Sequence, residues 1–220
     1  MISLAIFDLD NTLLNHDSDF LWGQFLVKQK LVDASYYEQK NIYFYDEYKK
    51  GTLNIDEFLS FSLKPLADNS FQTLQKLHKQ FMEEEIKPHI SQKSLDLIQS
   101  HKEQNHYCLI ITATNLFITG PIADLLGMDD IIATEPEIIN GEYTGKVKGI
   151  PSFQDGKVKR LDNWLKDHPD ITLHGSYFYS DSINDLPLLE QVTYPVAVDP
   201  DEKLKEHAEK NNWKVISLRD

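Results

Sequence analysis

Two carboxylates close the apolar run at the start of the chain: Asp8 and Asp10 in AIFDLDNTLL. Burying a charge without a partner is expensive, so acids at the end of a core strand call for a cation. Other polar residues stand at the ends of later apolar runs. Thr112 ends CLIIT and is followed by Ala113, Lys157 stands in QDGKVKRLDNWL, and Asp181 ends SYFYSD with Asn184 and Asp185 just behind it. Mg²⁺ takes carboxylate and carbonyl oxygens, which suits Asp8, the Asp10 carbonyl and Asp181. Thr112, Lys157 and amides at a helix N-terminus would hold a phosphate beside it. Taken singly, each has a plainer reading. The first acids make a turn and helix cap, Thr112 is a strand-end hydroxyl, Lys157 is a solvated helix residue, and Asp181 with Asp185 caps a helix. Only their joint occurrence in this order points to chemistry.

Such residues act together only if one scaffold gathers them. Residues 3–8 read as a strand. Residues 17–86 carry helical spacing, with Gly51 as a helix stop and Asn54 with Glu57 as a capping box. After His89 helices and strands alternate, as in a doubly wound sheet. The pattern predicts helices near 91–102, 116–126 (stopped by Gly127), 157–166 and 202–210. It predicts strands near 107–111, 176–179, 194–198 and 215–218, and a hairpin within 131–149 turning at Asn140-Gly141. The expected fold is α/β: a Rossmann-like, doubly wound parallel-sheet core interrupted by an α-helical insert. The boundaries are 1–15 and 88–220 for the core and 16–87 for the insert. An insert after the first strand lies where loops line the ligand crevice, so it is placed to act as a lid.

Composition narrows the partners. The 220 residues carry a net charge of −13, from 22 basic and 35 acidic residues, which argues against nucleic acid. A small phosphorylated metabolite stays compatible, because one cation reverses the field within a site. Arg160 and Arg219 are the only arginines, so an anion bound earlier in the chain must use lysine, amides or a metal. Cys108 is the only cysteine, excluding an internal disulfide, and its apolar strand marks it as core. No run approaches membrane length and no basic region precedes the first apolar run. The expectation is a cytoplasmic protein with no membrane partner. Nothing in the sequence indicates the oligomeric state.

In order, DLDNT, IIT, GKVKRL and DSIND resemble the four motifs of the haloacid dehalogenase superfamily of aspartate-nucleophile phosphohydrolases. The helical insert resembles the C1 cap of its phosphoserine-phosphatase-like subfamily, and ATEPEIINGEYTGKVKG resembles that subfamily's hairpin. The resemblance spans essentially the whole chain. It implies Mg²⁺-dependent phosphomonoester hydrolysis through an aspartyl-phosphate on Asp8. Asp10 would protonate the leaving alcohol and later activate water. Thr112 and Ala113 would meet the phosphoryl oxygens, and Lys157 would stabilise charge on the phosphoryl group and nucleophile. Asp181 would ligate Mg²⁺ along with Asp8 and Asp10, and Asp185, with Asn184, would orient that shell. Ser180 stands where the family often has glycine.

Substrate choice turns on the cap. Phosphoserine phosphatases use a cap acid for the substrate ammonium and a cap arginine for its carboxylate. Asp17 falls at the acid position, while the arginine region reads Ser60-Phe61-Ser62, with Lys64 the cation nearby. An acid without the arginine favours an amino alcohol phosphate, such as histidinol phosphate. The alternatives are a phosphoserine phosphatase and, from another class, a non-catalytic Mg²⁺- or phosphate-binding regulatory protein. Tyr37, Phe44 and Tyr48 share one helical face, which predicts cap-core packing; stacking on a substrate ring is the other reading.

Overall fold

The apolar run at the start of the chain forms β1 (Ile2–Phe7), buried on both faces from Leu4 onward. Burial on both faces suits an inner strand of a parallel sheet covered by helices. The computed structural model, which describes residues 1–219, sets β1 between β2 (Tyr107–Asn115) and β6 (Ile171–Ser180). With β3 (Asp130–Thr134), β7 (Tyr194–Val198) and β8 (Lys214–Ile216) the order is β3-β2-β1-β6-β7-β8, parallel throughout. Strand order reverses at β1, so the carboxyl ends of β1 and β6 flank the crevice where doubly wound sheets bind ligands. Asp8 follows β1 and Asp181 follows β6.

Side chains alternate along the strands and build two cores. Ala5, Phe7, Cys108 and Ile110 belong to one, and Leu4, Ile6, Leu109 and Phe178 to the other. Helices α6 (Gln92–Glu103), α7 (Leu116–Leu126), α8 (Asp155–Asp167), α9 (Leu186–Leu189) and α10 (Glu202–Lys210) complete the Rossmann-like layers.

Between β1 and β2 the chain makes α1 (Ser18–Lys28), α2 (Ala34–Lys50), α3 (Ile55–Ser62), α4 (Lys64–Asp68) and α5 (Phe71–Phe81). Asp17, Asp33, Asn54 and Ser70 start four of them by accepting first-turn N–H groups. Gly51 ends α2 in the left-handed region at φ 76°, where a side chain would be strained. Trp22, Phe25, Leu63 and Phe81 share the core of Ala5 and Phe7, so these helices are fused to one face of the sheet. Tyr37 and Phe44 pack on Phe61, with ring centroids 4.4 and 5.2 Å apart.

Several boundaries differ from the sequence reading. Residues 131–134 belong to β3 in the main sheet, and the hairpin is shorter, β4 (Pro136–Ile139) and β5 (Glu142–Val147). Strand β2 continues four residues beyond Ile111, because Asn115 pairs with Thr134 after a register shift. Strand β6 begins at Ile171, paired with Ile2, and α8 begins two residues before Lys157. Cys108 is buried and free. Among the described residues, no helix is long and apolar enough to cross a membrane.

Candidate active site

Asp8 is held by the sheet. Its N–H donates to the Tyr179 carbonyl at 2.9 Å, continuing the pairing of β1 with β6. The chain then turns sharply through Leu9–Leu13, with Asn11 at φ 57°, a conformation that asparagine tolerates better than most residues. Leu14 N–H closes the turn on the Leu9 carbonyl at 3.0 Å. The Arg219 guanidinium donates to the Asn11 and Asn15 carbonyls at 3.1 and 3.2 Å, tying the end of the described chain to this loop.

Lys157 enters from the first turn of α8. A Cβ at Gly156 would collide with the Pro151 carbonyl oxygen, so glycine lets that turn lie close against the preceding loop. The Lys157 side chain is 1% exposed, and its Nζ lies 2.8 Å from Asp8 Oδ1 and 2.7 Å from Asp185 Oδ1. The plain reading of a solvated helix lysine does not hold. Ser180 Oγ donates to Asp185 Oδ2 at 2.7 Å, so serine at the position where glycine is frequent orients this acid. Thr12 Oγ1 donates to Asp181 Oδ1 at 3.1 Å, accepts the Asp181 N–H at 3.1 Å, and lies 3.5 Å from Asp8 Oδ2. It fastens the loop after β1 to the loop after β6.

Two buried acids, Asp8 and Asp185, thus meet one buried cation, Lys157, and the half-buried Asp181 adds a third acid beside them. The imbalance shows in their protonation. Burial pushes Asp8 up to about 7; Lys157 opposes this, while Asp185 and Asp10 add to it. Burial, then Asp8 and Asp185, hold Asp181 well above the usual carboxylate range. Burial alone would lower Lys157, but Asp185 and Asp8 more than reverse it. A divalent cation between Asp8 and Asp181 would cancel the excess charge, and carboxylate and carbonyl oxygens are the donors that Mg²⁺ prefers. Among the described residues, no three His, Cys, Asp or Glu side chains form a metal cluster by themselves. The residues present fit the ion.

Asp10 is fixed by three donors. Oδ1 accepts the Ser18 N–H at 2.7 Å, and Oδ2 accepts from Thr114 Oγ1 at 2.7 Å and Thr112 Oγ1 at 3.4 Å. Thr112 is therefore beside Asp10, and Thr114, which sequence reasoning missed, makes the shorter contact. Ala113 lines the same pocket. Asn184 is turned away from Asp181: its Nδ2 donates to the Tyr48 carbonyl at 3.0 Å, and its Oδ1 accepts from Gln154 at 3.1 Å. It bolts the C-terminal end of α2 to the sheet edge.

The pocket runs from Asp8 and Asp10 to Asp17 and Asp19 on α1 and its cap, walled by Phe20, Phe44, Tyr45, Tyr48 and Phe58 from the inserted helices. Among the described residues, no arginine or lysine lines it. Asp17 caps α1, accepting the Phe20 N–H at 2.8 Å. Burial, then the charge of Asp10, pushes its carboxyl up to about 7. Tyr48 leaves the packing face it shares with Tyr37 and Phe44 and meets Ser182 at the catalytic end. Lys64 is elsewhere: it pairs with Asp68 at 2.5 Å, facing a separate groove lined by Tyr36, Tyr37 and Phe61. The basic group nearer Asp17 is Lys49, whose ammonium lies 4.3 Å from the centre of the Tyr45 ring.

Residues 5–190 match the haloacid dehalogenase-like hydrolase family. Over 222 residues, the whole of both chains, the protein is 47% identical to a protein named histidinol-phosphatase from Neisseria meningitidis serogroup C. A crystal structure of a protein of unknown function from Bordetella pertussis Tohama I superposes with TM-score 0.92 at 40% identity, covering all of both chains. A phospho-aspartyl intermediate analogue of phosphoserine phosphatase superposes with TM-score 0.73 at 19% identity, over 99% of this chain and 94% of the other, a likeness of fold alone. With its motif residues gathered at the switch point of a doubly wound parallel sheet, this chain belongs to the haloacid dehalogenase-like hydrolases.

Proposed function

We propose that the protein is a Mg²⁺-dependent phosphomonoesterase for amino alcohol phosphates, with histidinol phosphate the leading substrate. The observation that carries this reading is the pocket itself, which joins the Asp8–Asp10 end to Asp17 and has no basic side chain in its lining. Such a pocket attracts an ammonium and offers a carboxylate no bidentate fork. The full-length relative named histidinol-phosphatase supports the same choice. Residues 16–87 act as a cap over a core made of 1–15 and 88–220, and the pocket forms where the two meet.

Asp8 attacks phosphorus, and the bond from phosphorus to the ester oxygen breaks. Asp10, in its protonated form, gives its proton to the departing alcohol. The three donors on its carboxylate keep it aimed at one point. Water then attacks the aspartyl-phosphate while Asp10 takes the proton back, releasing inorganic phosphate and restoring Asp8. Lys157 holds Asp8 in place through both halves, and Asp185 with Ser180 holds Lys157. Asp8, the Asp10 carbonyl and Asp181 would hold Mg²⁺, which would supply positive charge against the phosphoryl oxygens and the nucleophile. Thr112 and the amide of Ala113 face the transferred group.

Phosphate release from a panel of phosphometabolites, with Mg²⁺ and with excess chelator, tests the reading. Mg²⁺-dependent turnover of amino alcohol phosphates is expected. Full activity in chelator, or an Asp8→Asn variant that still turns over, would contradict it.

A further inference from the structure

Asp19 has no role in the mechanism above, yet it is 8% exposed and lines the pocket with Asp17 and Asp10. Among the described residues its carboxylate has no hydrogen-bond donor and no cation. An acid in the first turn of a helix ordinarily sits in solvent and interacts with the helix dipole. Burying it beside two other acids works against that dipole, because burial, Asp17 and Asp10 all disfavour its charge. An unpartnered buried acid is costly to an empty protein and useful to one that binds a donor there.

The neighbours define that donor. Asp17 already accepts the Phe20 and Asp19 backbone N–H groups and stands nearer Asp10, on the path to the phosphate. Around Asp19 the pocket is aromatic. Phe20 and Tyr45 lie with ring centroids 5.1 Å apart, and Phe44 and Phe58 add to the wall. A flat group fits such a wall by stacking, and a ring N–H would satisfy the unpartnered Asp19 carboxyl beside it. Building on the amino alcohol phosphate reading above, we propose that Asp19 is a specificity residue that accepts a hydrogen bond from the ring N–H of a nitrogen heterocycle carried by the alcohol. The substrate class is then a phosphomonoester with two donor groups, an ammonium for Asp17 and a heterocyclic N–H for Asp19.

The test compares histidinol phosphate with phenylalaninol phosphate, which keeps the ammonium and a flat ring but lacks the ring N–H. Wild type should favour histidinol phosphate in kcat/KM by about tenfold, the scale of one buried hydrogen bond. Asp19→Ala should collapse that ratio towards one, Asp19→Asn, whose amide oxygen still accepts, should keep part of it, and thermal melts without substrate should show neither variant destabilised. If Asp19 serves only the helix, both variants melt earlier and lose the two activities in parallel, which overturns the proposal. A wild-type ratio near one, with both compounds hydrolysed well, also overturns it while leaving the amino alcohol reading intact. If wild type hydrolyses neither compound better than an aryl phosphate, the broader reading has failed, and this proposal with it.

Discussion

The ammonium of Lys157 lies 2.8 Å from Asp8 Oδ1, with both side chains almost wholly withdrawn from solvent. The same nitrogen also reaches Asp185, so one cation holds two acids. Removing one partner of a buried ion pair leaves an uncompensated charge, at a cost of about 3–5 kcal/mol. Lys157→Met is therefore expected to unfold at much lower urea concentration than wild type. Adding Asp185→Asn to it should recover part of the loss by removing one stranded charge. Equal unfolding midpoints for wild type and Lys157→Met would contradict this account of the site.

The acids around Lys157 predict how metal and pH act on stability. Asp8 rises from its ordinary 3.8 to about 7 in the folded protein, and Asp181 rises as well. The folded state thus holds more protons than the unfolded chain between these values. Stability of the metal-free protein should fall as pH climbs through that window. Mg²⁺ should raise the melting temperature most at and above pH 7, where the acids are ionised. Asp181→Asn should melt later than wild type without metal and lose most of the Mg²⁺ effect. A metal-free protein that gains stability from pH 4 to pH 7 would contradict the assignment.

Much of this site was legible in the sequence because three of the four motifs close apolar strands, while the fourth opens a helix at Lys157. Helices α7 and α10 begin and end where read, since Asn115, Gly127 and Asp201 are strong caps. What failed has physical reasons. Thr112, Thr114 and Asn115 look like the end of a strand because they are polar, yet β2 runs on until Asn115 pairs with Thr134, and Thr112 and Thr114 line the pocket. Asp19 reads as a routine first-turn acid, and nothing local reveals that the inserted helices bury it. Tyr48 keeps the periodicity of Tyr37 and Phe44, but the last turn of α2 overhangs the sheet edge, where Asn184 holds it. Lys64 is close to Asp17 in neither chain nor space, and its pairing with Asp68 four residues on is a common helix-surface contact. Thr12 and Thr114 carried no signal beyond their motifs, as their partners come from distant strands or loops.

In the proposed function, Asp17 links substrate choice to pH. Its carboxyl titrates near 7, and only the ionised form attracts an ammonium. The kcat/KM ratio of histidinol phosphate to p-nitrophenyl phosphate should therefore rise with pH through about 7. The two esters ionise at different pH and the histidinol ring titrates as well, but these changes are the same for wild type and Asp17→Asn, so the difference between their profiles isolates Asp17. Asp17→Asn should lower the ratio about tenfold and flatten its pH profile. A wild-type ratio that falls over this range would show that Asp17 does not meet the ammonium.

The most direct measurement is a side-by-side determination of kcat/KM for histidinol phosphate and phosphoserine on the wild-type enzyme in Mg²⁺. The two esters share a phosphate and an ammonium, and they differ in the ring of one and the carboxylate of the other. A pocket lined by Asp17 and Asp19, walled by aromatic rings and without a basic side chain, should prefer histidinol phosphate by about tenfold or more. A preference for phosphoserine would contradict the account and make Lys49, the cation nearest Asp17, the first residue to test for carboxylate binding.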